Sequence, residues 1–489
     1  MQLINCKISY QTGDSIIYTT QLNNNDFVLN IHSKENLLQA NIHTNKDLYN
    51  FNIDFYIKID ASFTNFITNA YQTWSPSIVA YENSNKSKLF SQLSKKFTRG
   101  CGLEYLGEYE QDYDQNASFG LCQFRKDCSN DCLIFASLNE EYTFTKFTYD
   151  FERHILKINR NFKGYSVNKH MELAKVTRIC DTYQNAINKL KSSLNCQDIA
   201  QEKLLVYNTF NEFGNAISQQ VINNKIYTIE NCFNLFLIGD GYSTTGYDLF
   251  DIDCKRFKNG FKSIVDNIHQ KGMKAGIWIA PFAISPLAKS FAKNQNLTIK
   301  LNDKPQITCP FWEGVHSLDI TLEDSKKYLK EMFELIDSWG FDVIYCDCIY
   351  MAGCIPTDGK TQAMLINDGI ELIKKFANGK TLIFGGVPFL SGINNCDYIS
   401  LSSDCKNIWH NPLNFLSPQI DLSTKNNLKH LPNKKYLDLI YPCIYTIPNN
   451  SKIKPPLINT ILNSFDNIVV TDSQIKPQSY PSEINLPTD

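Results

Sequence analysis

Four things are missing from this chain, and each absence closes a class of function. Charge of one sign is missing: 48 Lys and Arg stand against 50 Asp and Glu, a formal net charge of −2, so neither nucleic acid nor an anionic membrane surface is expected as a partner. Long apolar runs are missing. No stretch reaches the roughly 18 residues of a membrane span, and Met1-Gln2-Leu3-Ile4-Asn5-Cys6 shows no basic region leading into an apolar segment. The expectation is a soluble protein that stays in the cytoplasm, where it is made. Metal and disulfide spacings are missing too: 16 cysteines include no C-x-x-C, and although Cys122, Cys128 and Cys132 come near a cluster, no His pair completes a zinc pattern. Free thiols, mostly buried as small hydrophobes, are predicted. Finally, there is no solenoid repeat and no low-complexity tract.

With 43% hydrophobic and 12% aromatic residues, the chain can bury a large core. Up to about residue 195 it reads as short alternating strands broken by Asn, Asp, Gly and Ser, such as Ser15-Ile16-Ile17-Tyr18-Thr19 and Phe144-Thr145-Lys146-Phe147-Thr148-Tyr149, a pattern of antiparallel sandwiches. A helix is expected from Asp181 to about Ser193. From Leu204 strands and helices alternate, with eight strand candidates: Leu204 to Phe210, Leu235 to Asp240, Ala275 to Pro281, Val343 to Asp347, Leu382 to Gly386, Tyr398 to Ser402, Leu439 to Tyr445 and Ile468 to Asp472. Phe261, Ile264, Val265 and Ile268 form one helical stripe closed by Gly272; Tyr328, Leu329, Met332, Phe333 and Ile336 form another closed by Gly340. The fold class is therefore a multidomain α and β protein: an N-terminal antiparallel β-sandwich over 1–180, a linker helix within 181–200, and a (β/α)8 TIM barrel over 201–489, with little or no C-terminal β-domain.

Two of the strands finish on an acid. Gly340-Phe341-Asp342-Val343-Ile344-Tyr345-Cys346-Asp347 is a helix stop, an apolar run and a carboxyl; Asp397-Tyr398-Ile399-Ser400-Leu401-Ser402-Ser403-Asp404 has the same outline. A barrel enzyme offers its catalytic groups at such strand ends. A lone strand-end Asp is more often a helix N-cap or a loop salt bridge. Cys346 and Cys348, flanking Asp347, are expected on the opposite strand face, packing against outer helices.

Motifs in a fixed order favour the catalytic alternative. Tyr71-Gln72-Thr73-Trp74-Ser75 is followed by Gly239-Asp240-Gly241-Tyr242 with Asp248 beyond it, then Gly272-Met273-Lys274-Ala275-Gly276-Ile277-Trp278-Ile279-Ala280-Pro281-Phe282. Ser317-Leu318-Asp319-Ile320, the Asp347 strand with Met351-Ala352-Gly353, the Gly385-Gly386-Val387-Pro388 turn and the Asp404 strand complete the series. From about Tyr71 to Asp472 the chain resembles the melibiase-type α-galactosidases, retaining glycoside hydrolases built on a β-sandwich and a (β/α)8 barrel. The resemblance implies Asp347 as nucleophile and Asp404 as acid/base, with their carboxyls about 5–5.5 Å apart, a carbohydrate substrate, and neither metal nor organic cofactor. It also implies substrate contacts from Asp240, Tyr242, Asp248, Trp278 and Trp74. Trp278 alternates with Gly276 and Ala280 on an inward face, where an indole either stacks on a pyranose or fills the barrel. Tyr242 and Asp248 are equally well explained as turn residues, and Trp74 as sandwich core. Family members often form homo-oligomers, which nothing in these residues decides.

The chain also departs from the family. Tyr345 stands where the family usually has Lys, Ser400 where it has Arg, and Gly239 where it has the first of two adjacent acids. Tyr207-Asn208-Thr209-Phe210 lacks its tryptophans, and Tyr441-Pro442-Cys443 its acidic pair. Three readings follow: a retaining α-galactosidase with a rebuilt subsite, an α-glycosidase of altered sugar specificity with Tyr345 and Ser400 touching different substituents, or a catalytically silent carbohydrate-binding homologue. A metal-dependent lyase or aldolase is the alternative of another class. It requires a ligand cluster or a Schiff-base lysine at a strand end, and Lys274 sits at the N-terminal side of its strand.

Overall fold

The computed structural model describes residues 1–69, 71, 73, 79–81, 117–126, 129–197, 202–244, 248–309, 314–401, 437–446 and 466–470. Among the described residues up to Thr182, 12 antiparallel strands form one network. Its longest strand, Leu37–Lys58, serves two layers. Leu38, Ala40 and Ile42 pair alongside Phe27–Ser33 and Ser166–Thr182, while Ile53, Phe55 and Ile57 pair alongside Leu3–Thr12 and Ile155–Asn161. The buried positions change phase between Leu48 and Phe51. Asn50 stands at the change in a left-handed conformation, φ 48°. Because side chains alternate with period two, one extra residue moves the apolar set to the other face. That irregularity lets a single strand feed both parts of the same core.

Another strand, Asp131–Ser137, is buried on both faces. Leu133 and Phe135 enter the sandwich core, while Cys132, Ile134 and Ala136 join a second core continuous with the barrel. Backbone and side-chain bonds reinforce this junction: Thr73 N donates to Val387 O at 3.1 Å, and Thr361 Oγ1 to Tyr142 O at 2.6 Å. The last sandwich strand, Ser166–Thr182, leads straight into the helix Tyr183–Ser193.

Eight parallel strands then close into a barrel. In order they are Leu205–Asn208, Leu235–Ile238, Lys274–Ile279, Val343–Cys346, Thr381–Phe384, Tyr398–Ser400, Cys443–Thr446 and Asn467–Val470, hereafter barrel strands one to eight. Each falls inside or within a residue or two of its predicted span. The predicted stripes form the helices Lys262–Gln270 and Glu323–Trp339, with Ile264, Val265, Ile268, Leu329, Met332 and Ile336 facing inward. Gly340 ends the second helix in a left-handed turn, φ 82°, a conformation that glycine adopts without a Cβ clash.

The N-terminal rim is tied by carboxylates and amides just ahead of barrel strands two, four and six and at the first residue of strand eight. Asn234 Oδ1 accepts from Leu205 N at 2.9 Å, Asp342 Oδ2 from Ala275 N at 2.8 Å, Asp397 Oδ2 from Leu382 N at 2.8 Å and Asn467 Oδ1 from Leu204 N at 2.9 Å. Each satisfies a main-chain donor that the start of a strand leaves without a ladder partner. Lys274 lies at this rim, in an ion pair with Glu202. Among the described residues twelve cysteines are free thiols, eight of them buried. Among the described residues no helix is long and apolar enough to cross a membrane.

Candidate active site

Barrel strand four ends at Cys346, so Asp347 is the first residue of the C-terminal rim, 6% exposed. Its carboxylate receives a donor on each oxygen. Trp278 Nε1 donates to Oδ2 at 3.0 Å, and Cys348 N donates to Oδ1 at 3.0 Å. The indole arrives from barrel strand three, where Trp278 is in register with Tyr345. The amide arrives because Cys348 is left-handed, φ 55°, which turns the chain sharply back on the acid. For a residue with a Cβ this conformation costs roughly 1 kcal/mol or more, and such strain gathers at functional sites. Cys348 is thus not in an extended strand, contrary to expectation, although both it and Cys346 are fully buried. Burial pushes the Cys346 thiol well above its ordinary pKa, and the Asp347 charge adds to the effect.

Gly385, just past barrel strand five, completes the cradle. A Cβ at this position would lie 2.1 Å from Asp347 Oδ1, 2.8 Å from Tyr345 Cε2 and 2.9 Å from Tyr345 Oη. The absence of a side chain lets the Tyr345 ring cross barrel strand five, and its hydroxyl donates to Ser400 Oγ on strand six at 2.9 Å. The two positions at which the family's cations are replaced are therefore bonded to each other. Gly239 has a comparable explanation. A Cβ there would come within 2.5 Å of both Asn208 Oδ1 and Phe210 Cβ, because Asn208 folds back to cap the short helix Thr209–Phe213. An acid cannot stand at 239 unless that turn is rebuilt.

The remaining predicted residues divide. Asp240 ends barrel strand two's loop entry, buried, with Oδ1 accepting from Gly241 N at 2.6 Å. Tyr242 is wholly buried: its hydroxyl donates to Trp278 O at 3.2 Å and its ring meets Phe261 edge-on. Burial raises its pKa well above the ordinary value, the Asp240 and Asp248 charges adding to the shift. Such a phenol supports the Trp278 backbone and offers a sugar little surface. Asp248 accepts from Phe250 N at 2.8 Å and from the Ser290 hydroxyl, joining the loop after barrel strand two to the loop after strand three. Burial raises its pKa, partly offset by the Ser290 bond. Asp404 and Trp74 lie outside the described residues. Among the described residues there is no group of three or more side chains arranged to hold a metal ion.

Residues 218–375 match the Glycosyl hydrolases family 31 TIM-barrel domain, a span that contains Asp240, Trp278, Tyr345 and Asp347. The barrel is a glycoside-hydrolase barrel. Solved structures similar to this chain include α-galactosidases. TtGalA from Thermus thermophilus, in complex with p-nitrophenyl α-D-galactopyranoside, superimposes with a TM-score of 0.66 at 13% identity over 98% of this chain and 92% of that one. The same enzyme in complex with stachyose gives 0.66 and 13% over 96% and 97%. The GH36 α-galactosidase AgaA from Geobacillus stearothermophilus gives 0.60 and 10% over 98% and 71%. Families 31 and 36 are distinct; at these identities the neighbours share the architecture of sandwich plus barrel.

Two members of this candidate site were not named as site residues from the sequence. The Cys348 amide is a main-chain group that no residue type announces. Gly385 belongs to a Gly-Gly doublet at a strand end, and that doublet was the available signal: close backbone approach to a functional side chain is a standing reason for glycine there.

Proposed function

We propose that the protein is a retaining α-glycosidase acting on terminal α-galactosyl residues, with Asp347 as nucleophile and Asp404 as acid/base. The observation that carries this reading is the Asp347 carboxylate at the C-terminal rim of a glycoside-hydrolase barrel, with an N–H donor on each oxygen and only glycine allowed against it. Donors of that kind complement a carboxylate and hold it in one orientation. In the first step a carboxylate oxygen of Asp347 attacks the anomeric carbon. The bond to the leaving oxygen breaks, its electron pair stays on that oxygen, and the Asp404 carboxyl supplies the proton. In the second step Asp404, now a carboxylate, takes a proton from water. The water oxygen attacks the anomeric carbon, and the ester bond to Asp347 breaks to restore the starting carboxylate.

A second reading, an α-glycosidase of altered sugar specificity, is favoured by the Tyr345–Ser400 bond. A buried phenol and a hydroxyl replace two cations with a neutral pair, so a sugar resting on that side meets different chemistry. Turnover of a panel of p-nitrophenyl α-glycosides by the wild type, Asp347→Asn and Asp404→Asn tests both. Galactoside turnover lost in each variant supports the first reading; turnover confined to another glycoside supports the second. Sugar binding without any turnover would overturn both.

A further inference from the structure

Trp278 is an aromatic residue on the inner face of a sugar-cleaving barrel, and the obvious role is a stacking platform. The geometry points to another: we propose that Trp278 is the positioning residue of the nucleophile, acting through its indole N–H on Asp347 and not through its ring face on the sugar. This rests on the reading of Asp347 as nucleophile.

Three observations carry it. The N–H is aimed at Asp347 Oδ2, 3.0 Å away, whereas Oδ1 is taken by the Cys348 amide. With one donor on each oxygen, rotation about the carboxyl's last torsion is restrained from both sides. The residue is also 5% exposed, and a platform must present an open face. Finally, the Trp278 backbone is itself held. It is paired in register with Tyr345 on one side and capped on its carbonyl by the Tyr242 hydroxyl at 3.2 Å. Thus Tyr242 supports Trp278 and Trp278 holds Asp347 at the C-terminal rim. A supporting partner of this kind raises the precision of the reacting group and stabilises its charged form.

The test replaces the donor while keeping an aromatic ring. Trp278→Phe removes the N–H; replacement of Trp278 by the sulfur isostere 3-benzothienylalanine removes it at unchanged size, which covers the case in which the phenylalanine variant folds poorly. For either, kcat on the p-nitrophenyl glycoside that the wild type turns over is expected to fall about 100-fold, as for loss of one directed donor in an active site, with KM changed by less than about threefold. The acid limb of the kcat/KM profile is expected to move up by about one pH unit, since an N–H bond favours the ionised carboxylate and its loss raises the pKa. A platform role predicts the reverse split, with KM raised, kcat kept and the acid limb unmoved, and that result overturns the proposal. In parallel, a 5-fluoroglycosyl fluoride of the same sugar is used to trap the covalent intermediate, and the labelled residue is located by peptide mass. Label on Asp347 with normal kinetics in the isostere sinks only the tryptophan's role. Label on a different carboxylate sinks the nucleophile assignment, and the role of Trp278 with it.

Discussion

The two ends of the barrel use the same residue types to opposite purpose. At the N-terminal rim Asn234, Asp342, Asp397 and Asn467 each accept from an amide at or beside the start of a neighbouring strand. At the C-terminal rim Asp347 accepts from an indole on another strand and from the amide of its own following residue. The lower bonds close a ladder, and any acceptor of the right length would serve. The upper ones depend on a left-handed Cys348 and on a glycine that leaves room for the carboxylate, which are conditions a stability role does not require. Asp342 and Asp347 sit five positions apart, one just before and one just after barrel strand four, yet one ties the lower rim and the other stands at the upper one.

That contrast can be broken by mutation. Asp347→Asn is expected to lower kcat by about 10⁴-fold or more with little change in thermal midpoint, because the amide keeps the size of the side chain; retention of activity would erase the distinction between the rims. Gly385→Ala places a methyl 2.1 Å from Asp347 Oδ1 and should cost about 10²-fold or more in kcat, the order expected for a displacement near 1 Å. Normal kinetics in that variant would mean that the carboxylate does not act from this position. Asp342→Ala, at the other rim, leaves the Ala275 amide without its acceptor. It should lower stability by about 1–3 kcal/mol, read as a shifted denaturant midpoint, while kcat/KM of the folded enzyme is unchanged.

Smaller effects sharpen the picture of the mouth. Tyr345→Phe removes the bond to Ser400 and should change the ratio of kcat/KM between two glycosides by about tenfold or less; a ratio unchanged in Tyr345→Phe, Ser400→Ala and the double variant would exclude the pair from specificity. Asp248 supplies the weakest expected signal. Burial raises its pKa in the folded state, so the folded protein holds that proton to a higher pH than the unfolded chain does. Its contribution to stability is greatest below the unfolded pKa and declines as pH rises through the raised value. Chemical denaturation across that interval should show a shallower decline in Asp248→Asn than in the wild type.

Most of the scaffold was legible because its signals are local. The stripe of Ile264, Val265 and Ile268 ending at Gly272, and that of Leu329, Met332 and Ile336 ending at Gly340, are written at helical spacing and appear as helices with those faces buried. The eight apolar runs are short, bounded and regularly interleaved, and they appear as eight strands in that order. The roles inside the site were less legible. Tyr242 and Asp248 read equally as substrate residues or turn residues, and their polar atoms meet Trp278 O, Phe250 N and Ser290. The vacancy at Gly239 read as a lost acid, whereas the neighbouring turn at Asn208 leaves no space for one.

Order along the chain was enough to establish two architectures, a run of short strands and an alternation of strands with helices, because hydrophobic spacing acts within a few residues. Which groups meet at the C-terminal rim was decided by how the barrel strands pair. Trp278 reaches Asp347 across 69 residues, and Tyr345 reaches Ser400 across 55. A bond between side chains so far apart depends on strand register and on the glycine between them, and neither is encoded by the spacing of the residues that it joins.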